Sequence, residues 1–479
     1  MDVSDLRSQT ARHGQKHLFT FWDDLDETGR QALLADVAAC DFGLLDTLIE
    51  THVRSDGPAA ATGRPSPPPC LPVEPGGADQ VRMYAQARDR GRRLIGEGKV
   101  AAMVVAGGQG TRLGFDGPKG AFAISPIRNK TLFRLFAESL LATERRFGSP
   151  IRWYVMTSPV NDGPTRDIFA EHEHFGLDAE NVFFFQQGVM PAVDEEGRIL
   201  LDEKHRVAMS PDGHGGSLRA LAASGALADM ADRGIEIISY FQVDNPLVRP
   251  VDPLFVGLHD STGSQMSSLM IGKASDDERV GVFATVDGKL QVIEYTDLPE
   301  ELSRARNADG SRMFDAANIA IHILGRSFVE ELTRPGSTLA MPWHRARKKV
   351  SYVDPSTGRK IEPGEPNATK FEMFVFDALP LAANPLLLEA RRGEVFSPVK
   401  NADGVDSAAT ARRDMSSRAA AWLEQCGVEV PRKPDGEADC VVEISSLFAL
   451  DAEELGESLK ERPVIARGGE LYLGPGEDE

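Results

Sequence analysis

Apolar positions along this chain follow two spacings. Short runs such as Val100–Ala106 and Ile235–Phe241 are almost continuously apolar, which is typical of strands buried on both faces of a parallel sheet. Other stretches carry apolar residues three and four positions apart, the spacing of amphipathic helices. From about Asp79 to Ser397 the two kinds of segment alternate. The pattern therefore predicts an α/β domain with a mainly parallel sheet and helices on both faces.

The two ends of the chain have a different pattern. Residues 30–53 carry apolar side chains at helical spacing and predict a small helical arm. Residues 55–77 are rich in proline, alanine and glycine and predict a surface connector without helix or strand. Near the other end a helical stretch runs through Leu423, and short strand-like pieces follow around Cys440–Ile444. We expect three parts: an N-terminal helical arm with its linker at 1–77, a central domain at 78–401, and a small C-terminal α+β domain at 402–479.

The most informative segment is Val104–Gly120, with the sequence VVAGGQGTRLGFDGPKG. An apolar run breaks there into a glycine-rich turn, where Gly107 and Gly108 let backbone N–H groups point toward an anion. Arg112 adds a planar fork suited to phosphate oxygens, and Lys119 adds a mobile positive charge. Together they predict a binding loop for a nucleotide polyphosphate.

Other interpretations of the same loop are weaker. A purely structural turn seldom carries arginine and lysine at fixed offsets. A P-loop is excluded because no Gly-Lys-Ser or Gly-Lys-Thr follows at the required distance. A dinucleotide fingerprint is suggested by Gly108, Gly110 and Gly114, but such a site needs no cations on the loop itself.

A candidate metal ligand follows the apolar run 235–241. Asp244, in the segment QVDN, falls where a buried strand ends, which is where ligands bind in open α/β sheets. A carboxylate beside a phosphate loop suits Mg²⁺, which usually takes one or two carboxylates together with substrate phosphates. The alternative is a helix N-cap or a solvated turn.

The chain resembles a known family over most of its length, in several segments that lie in the family's order. The family is that of the eukaryotic-type UTP:sugar-1-phosphate uridylyltransferases, and the similarity is greatest to the UDP-N-acetylhexosamine pyrophosphorylases. Besides the glycine-rich loop, the matching segments are GQKHLFTFWDDL (14–25), FGLDAENVFFFQQG (175–188), PDGHGG (211–216), QVDN (242–245), VIEYTDLPEE (292–301), AANIAIH (316–322), KFEMFVFD (370–377) and FSPVKNADG (396–404).

This resemblance implies a fold and a reaction. The central domain would be a Rossmann-like, glycosyltransferase-A-like nucleotidyltransferase that forms a UDP-sugar and pyrophosphate from UTP and a hexose 1-phosphate, with N-acetylglucosamine 1-phosphate favoured. Gly107 and Gly108 would contact the nucleotide. Asp244 would hold Mg²⁺. Positive charges would act on the phosphates, and the resemblance assigns them to Arg112, Lys119 and Lys400.

Resemblance also assigns the uracil contacts. Gln187 ends an apolar run, and an amide can donate to and accept from an imide edge at once. Gly213 matches a position that packs on the base. His214 departs from the pattern of the N-acetylhexosamine enzymes, which usually have asparagine there, and agrees with the glucose-type enzymes. Both side chains can donate to a sugar hydroxyl, so glucose or galactose 1-phosphate remains an alternative substrate. A histidine in a glycine turn can also merely bind backbone carbonyls.

The sugar contacts implied by the resemblance have side chains suited to hydroxyl recognition. A glutamate offers two acceptors to a diol, an asparagine donates and accepts, and a tyrosine covers an apolar sugar face. These positions are Gly281, Glu294, Tyr295 and Asn318. Glu294 has another interpretation, because the alternating segment Leu290–Tyr295 also predicts a strand with outward-facing polar positions.

Two functions from other classes remain to be compared with an enzyme of this family. A sensor that binds UDP-sugar without turnover would keep the uracil and sugar contacts and lose a cation, whereas here all the cations are present. A nucleotide-dependent oxidoreductase depends on the glycine loop alone, and bound flavin or nicotinamide would reveal it by absorbance.

The composition of the chain excludes some classes of binding partner. The net charge of -20 and the lack of a basic run argue against nucleic-acid binding. No apolar stretch approaches the roughly 18 to 20 residues needed to span a bilayer. The N-terminus has no apolar segment of a signal peptide, and the four cysteines have no C-x-x-C spacing. We expect a cytoplasmic enzyme with reduced thiols and a frayed acidic tail at 476–479. The sequence leaves the oligomeric state open.

Overall fold

The structure is a computed structural model, and it describes residues 2–55, 63–334, 336–337 and 341–475. The predicted acidic tail and residues 56–62 of the predicted connector lie outside the described residues. The α-helices are α1 (Val3–Arg12), α2 (Glu27–Ala38), α3 (Phe42–Leu48), α4 (Ala78–Gly96), α5 (Leu132–Phe147), α6 (Asp162–Glu171), α7 (Gly216–Ala223), α8 (Ala226–Asp232), α9 (Pro253–Ser261), α10 (Glu300–Ser303), α11 (Arg326–Thr333), α12 (Arg392–Val395), α13 (Ala408–Gln425) and α14 (Ala452–Ser458).

The strands are, in chain order, β1 (Val100–Val105), β2 (Trp153–Thr157), β3 (Val182–Gln186), β4 (Val189–Pro191), β5 (Leu201–Glu203), β6 (Arg206–Val207), β7 (Met209–Pro211), β8 (Ile237–Gln242), β9 (Met266–Gly272), β10 (Val282–Val286), β11 (Lys289–Ile293), β12 (Ala316–Gly325), β13 (His344–Lys348), β14 (Tyr352–Val353), β15 (Lys360–Ile361), β16 (Ala368–Glu372), β17 (Leu386–Glu389), β18 (Cys440–Ile444) and β19 (Gly469–Leu473).

The chain forms two compact units. Unit 1 combines residues 1–63, 187–219 and 340–377, and unit 2 combines residues 64–186, 220–339 and 378–479. Each unit is therefore assembled from segments that are far apart in the sequence. The three-part division expected from the sequence, with boundaries at 77/78 and 401/402, stays a prediction about domains.

Unit 2 contains the central sheet. Its strand order is β11-β10-β12-β8-β1-β2-β3, and β9 pairs with β12 and with β17. Strands β8, β1, β2 and β3 run parallel to one another, whereas β12 is antiparallel to β8, β9 and β10. The expected α/β class with a mainly parallel sheet is confirmed, and the apolar runs at 100–106 and 235–241 form its central strands β1 and β8.

Large aromatic side chains fill the core of unit 2. Trp153 on β2 packs against Phe133 of α5 and Phe169 of α6, with ring centroids 6.3 and 5.4 Å away. All three side chains are 0 % exposed. Aromatic residues bury large apolar areas, so this packing fixes both helices on the sheet that carries the candidate site.

Unit 1 is built around the N-terminal helices. Asp26 caps α2 by accepting the N–H of Gly29, and Asp41 caps α3 by accepting the N–H of Leu44. Apolar side chains of both helices form one core with residues of the hairpins that follow, among them Val193 and Phe371. The predicted helical arm is thus present, and its apolar face packs on segments that come much later in the chain.

The C-terminal part of unit 2 has its own small core. Helix α13 begins at a capping box made by Ser407 and Thr410. Strands β18 and β19 pair in parallel, and their apolar residues pack with α13 around Leu423 and Val442. This agrees with the expected helix followed by short strands. The described connector residues 63–77 contain only isolated bridges, Ser66 to Thr285 and Leu71 to Leu388.

Candidate active site

The glycine-rich loop follows β1 as a compact turn. Gly110 N donates to Gly117 O over 2.9 Å, and Lys119 N donates to Gly108 O over 3.1 Å. These bonds close the two sides of the loop on each other, so the backbone from Gly108 to Lys119 has one defined path. A loop of this kind presents its N–H groups in fixed directions, as an anion site requires.

A buried amide that the sequence analysis missed holds the start of this loop. Asn161 is 0 % exposed, and its Nδ2 donates to Ala106 O over 2.8 Å and to Gly108 O over 3.3 Å. Its Oδ1 accepts the N–H of Ser158 over 2.7 Å. The signal was weak in the sequence, because an asparagine after a Ser-Pro turn is more often a simple turn residue.

Lys119 lies among the other predicted charged residues. Its side chain is 9 % exposed. Burial lowers the pKa of the Lys119 ammonium; Asp244 opposes this shift by its negative charge, and Arg112 and Lys400 reinforce it by their positive charges. The structure therefore places Arg112, Lys400 and Asp244 near enough to Lys119 for their charges to act on its ammonium. Three cations so close together are costly unless an anion joins them.

Lys400 and Asp244 belong to segments that are bonded through the backbone. Val399 N donates to Asp244 O over 2.7 Å, and Lys400 N donates to Asp406 O over 2.6 Å. The Lys400 ammonium lies 3.5 Å from the Asp406 carboxylate. This pair is partly exposed, so solvent weakens it.

The Asp244 carboxylate fits the requirements of a magnesium ligand. It is partly exposed, and no described side chain or backbone N–H donates a hydrogen bond to it. Its oxygens therefore remain open to a cation. Among the described ranges no three His, Cys, Asp or Glu side chains are grouped as a metal cluster. A magnesium ion here would need substrate phosphates and water for its other ligands.

The predicted sugar contacts form a second group in unit 2. Asn318 N donates to Gly281 O over 2.9 Å, and a Cβ at Gly281 would lie 3.1 Å from Glu294 Oε1. Strand β11 ends at Ile293, so Glu294 follows the strand rather than lying within it. Tyr295 is 47 % exposed. The structure thus brings Gly281, Glu294 and Asn318 together.

An irregularity in β12 orients Asn318. The strand changes register between Asn318 and His322, and Ala320 has a φ of 55°. Ala320 N donates to Asn318 Oδ1 over 3.0 Å. A positive φ at a residue other than glycine is uncommon and often marks a functional site. Because the side-chain oxygen is occupied, Asn318 has its Nδ2 group left to donate to a ligand.

The strand register places two groups of unit 2 along one edge of the sheet: the predicted phosphate and metal residues, and the predicted sugar contacts. Val105 on β1 lies opposite Gln242 on β8, so the glycine loop and Asp244 follow at the same level. Strand β12 runs antiparallel to β8 with His322 opposite Tyr240, which directs the Asn318 end of β12 toward that same edge. This is the carboxyl edge of the parallel strands, where ligands bind in open α/β sheets.

The predicted uracil contacts belong to unit 1. Gln187 Nε2 donates to Gly213 O over 2.8 Å. Gly213 has a φ of 81°, and a Cβ there would lie 2.3 Å from the carbonyl oxygen of Met373. Only glycine fits this close approach. Gln187 and Gly213 are therefore brought into direct contact, as one base-binding group would require.

His214 in this turn is a neutral histidine. Burial, together with the nearby His344, lowers the pKa of His214 to about 4. Its Nδ1 accepts the N–H of Val375 over 3.2 Å, and its ring lies beside those of Phe374 and Phe376. Because Nδ1 is the acceptor, the proton resides on Nε2, which can donate to a ligand.

A glycine-rich loop with clustered cations, at the carboxyl edge of a mainly parallel sheet, defines a nucleotide-binding α/β enzyme. A model of the family described as UTP–glucose-1-phosphate uridylyltransferase matches residues 73–467. The chain belongs to this family of UTP:sugar-1-phosphate uridylyltransferases, as its sequence motifs indicated.

Individual relatives agree with this assignment. The human UDP-N-acetylhexosamine pyrophosphorylase-like protein 1 is 37% identical, over 96% of this chain and 95% of that protein. The UDP-N-acetylglucosamine pyrophosphorylase of Saccharomyces cerevisiae is 32% identical, over 95% of this chain and 97% of the yeast protein. Among solved structures, the uridine diphosphate N-acetylglucosamine pyrophosphorylase of Trypanosoma brucei, in complex with an inhibitor, matches with a TM-score of 0.82. It is 27% identical, and the match covers 100% of both chains.

No helix in the described part of the chain combines the length and the apolar character that crossing a bilayer requires.

Proposed function

We propose that the chain forms UDP-N-acetylglucosamine and pyrophosphate from UTP and N-acetylglucosamine 1-phosphate. The observation that carries this proposal is the cluster around Lys119, a buried lysine whose ammonium is acted on by two further cations, Arg112 and Lys400, and by the open carboxylate of Asp244. Two polyanionic substrates need such a cluster, because their mutual repulsion must be offset before they react. The choice of sugar rests on the N-acetylglucosamine enzymes named above.

The reaction needs no nucleophilic side chain. A phosphate oxygen of the sugar 1-phosphate attacks the α-phosphorus of UTP, a new P–O bond forms, and the bond to the β-phosphate oxygen breaks to release pyrophosphate. Catalysis is then positioning and charge neutralisation. Arg112 and Lys119 would stabilise the charge that develops on the UTP phosphates, and Lys400 would exchange Asp406 for a phosphate oxygen.

Magnesium would add to this charge neutralisation. Asp244 would hold the ion, which would supply positive charge to the substrate phosphates. Base recognition is assigned to Gln187 and Gly213, and sugar recognition to Gly281, Glu294, Tyr295 and Asn318. His214 would donate from Nε2 to the sugar or its phosphate.

A second candidate substrate deserves a direct comparison. His214 is the residue of the glucose-type pattern, and its Nε2–H can donate to a hydroxyl as well as an asparagine amide can. Glucose 1-phosphate and galactose 1-phosphate are therefore the competing substrates.

The test is pyrophosphate release from UTP and Mg²⁺ with N-acetylglucosamine, N-acetylgalactosamine, glucose and galactose 1-phosphates in parallel. We expect N-acetylglucosamine 1-phosphate to have the highest kcat/KM by about tenfold, which is about 1.4 kcal/mol of transition-state binding. Removal of the metal with EDTA should stop the reaction, and added Mg²⁺ should restore it. A preference for glucose or galactose would overturn the sugar assignment. Release with none of the four would favour a UDP-sugar sensor.

A further inference from the structure

The side-chain amide of Gln187 has only one chemically sensible orientation. Its Nε2 faces two acceptors, Gly213 O at 2.8 Å and Asp212 Oδ1 at 3.4 Å. The amide nitrogen must occupy this position, because an amide oxygen there would face two other acceptors and could form no hydrogen bond with either. In the described part of the chain Gln187 Oε1 accepts no hydrogen bond, and it is not among the fully enclosed polar atoms. Gln187 thus presents a pure acceptor.

The carboxylate of Asp212 is held in place by its surroundings. Asp212 is 6 % exposed. A Cβ at Gly216 would lie 1.9 Å from its Oδ1, and a Cβ at Gly188 would lie 2.5 Å from its Oδ2, so the carboxylate occupies space that only glycines leave open. Its backbone is bonded on both sides, to Gly188 O over 3.1 Å and from Met373 N over 2.8 Å. The acceptor that faces Gln187 therefore cannot move away easily.

Burying this carboxylate is unfavourable for the fold. Burial raises the pKa of Asp212 to about 6; the Gln187 amide and the charge of Arg219 lower it only in part. A buried carboxylate without a cation bonded to it is kept more often for a function than for stability.

We propose that Asp212 is the positioning residue that makes the enzyme select uridine over cytidine nucleotides. The proposal rests on the function proposed above, in which Gln187 contacts the base. Uracil carries a donor at N3, and cytosine carries an acceptor there. Gln187 Oε1, held outward by Asp212 and Gly213, accepts from the N3–H of uracil and repels the N3 lone pair of cytosine. A freely rotating amide would turn its nitrogen to cytosine and lose this selection.

The decisive variant is Asp212→Asn, which keeps the shape and removes the charge. An asparagine amide can donate to a reversed Gln187, so the penalty for reversal falls. We expect the parent enzyme to prefer UTP over CTP by about 10²-fold or more in kcat/KM, because a site built to bond one group rejects the analogue that lacks it. In Asp212→Asn this ratio should fall by about tenfold, mainly through a gain with CTP.

A matched control separates positioning from folding. Asp194→Asn changes a carboxylate of the same unit that accepts the N–H groups of Glu196 and Arg198 in a turn, and it should leave the UTP/CTP ratio unchanged. If Asp212→Asn keeps the parent ratio, the positioning role is overturned and Asp212 only supports its turn. Should that variant fail to fold, Asp212→Ala is measured instead; it removes one of the two acceptors that face Gln187 Nε2 and adds no donor. The UTP/CTP ratio should then fall by less than about tenfold, and an unchanged ratio would overturn the positioning role.

A binding measurement keeps this inference separate from the proposed reaction. Calorimetric titration with UDP and with CDP needs no turnover. If the parent releases no pyrophosphate from UTP but binds UDP over CDP, and Asp212→Asn reduces that preference, the proposed function fails and the role of Asp212 stands. The role of Asp212 is overturned if Asp212→Asn keeps the parent preference for UDP over CDP, or if Asp194→Asn loses that preference to the same extent. Either outcome holds whatever the catalytic result.

Discussion

Lys130 and Glu138 form a buried ion pair, with Nζ and Oε2 2.6 Å apart and side chains 6 % and 5 % exposed. Glu138 Oε2 also accepts from Ser445 Oγ over 3.0 Å, and Lys130 Nζ donates to Tyr472 Oη over 3.2 Å. The pair thus joins helix α5 to the small C-terminal sheet within unit 2.

Removing one partner of this pair should destabilise the protein strongly. Glu138→Gln leaves the Lys130 ammonium buried without its counter-ion, and we expect the free energy of unfolding to fall by about 3–5 kcal/mol in denaturant titration. Arg134→Gln is the control, because Arg134 bonds the other oxygen of Glu138 but is 56% exposed, so its loss should cost less than about 1 kcal/mol. Similar losses in both variants would contradict the assignment of stability to the buried pair.

The same C-terminal sheet also holds the segment that follows the glycine-rich loop. Glu443 Oε2 accepts from Ile127 N over 2.7 Å and from Arg128 N over 2.8 Å, and Glu443 is 4 % exposed. The path of the chain just after Lys119 is therefore fixed by residues more than 300 positions later.

Loss of the loop cations should reduce turnover far more than stability. Arg112→Ala and Lys119→Ala should each lower kcat by about 10²-fold or more, because each removes a preorganised charge near the phosphates. The measurement is steady-state pyrophosphate release with saturating UTP. Lys99→Ala is a suitable control, since Lys99 forms a partly exposed pair with Glu236 and should retain near-parental kcat. Normal turnover in Lys119→Ala would remove Lys119 from the mechanism.

The amide that holds the loop should also matter for catalysis. Asn161→Ala removes both bonds from Asn161 Nδ2 to the carbonyls of Ala106 and Gly108, so the N–H groups lose their fixed directions. We expect kcat to fall by about tenfold or more. The comparison variant is Asn307→Ala, which changes an amide in an exposed turn. If the melting temperature falls and kcat does not, Asn161 supports the fold alone.

His214 should act as a hydrogen-bond donor. His214→Asn keeps an N–H donor, and kcat/KM with the best sugar phosphate should stay within about tenfold of the parent value. His214→Phe keeps the aromatic packing and loses the donor, so we expect a further loss of about tenfold, the scale of one hydrogen bond. Equal activity of the two variants would show that the Nε2–H contacts neither sugar nor phosphate.

Asp212 should give the protein a characteristic dependence of stability on pH. Its pKa is about 6 in the folded protein and 3.8 ordinarily, so the folded state binds the proton more tightly. Protonated Asp212 therefore contributes to the free energy of unfolding. This contribution is fully present below pH 3.8 and is lost as the pH rises to about 6, a loss of up to about 3 kcal/mol.

Asp212→Asn removes this loss. The variant should be more stable than the parent at pH 8, and the difference should shrink toward pH 4 in urea titrations. A variant that is less stable than the parent at pH 8 would contradict the cost of burying this carboxylate.

Local patterns in the sequence predicted much of this protein. Apolar runs predicted the central strands β1 and β8, because a strand buried on both faces must be apolar throughout. Residues in one contiguous loop, from Gly107 to Lys119, predicted an anion site from their chemistry alone. Family motifs identified the family, which the comparison with known families confirmed. The roles of the individual site residues stay predictions.

Other features depended on contacts between distant segments, which no local spacing encodes. Each of the two units combines three segments that are far apart in the sequence. The pairing of strand β12 with β9 changes register between Asn318 and His322. The contact between Asp212 and Gln187 joins residues 25 positions apart, and nothing in the local sequence of either residue indicates it. Only the tertiary structure decides such pairings, because the two groups can interact only after the folded backbone has brought them together.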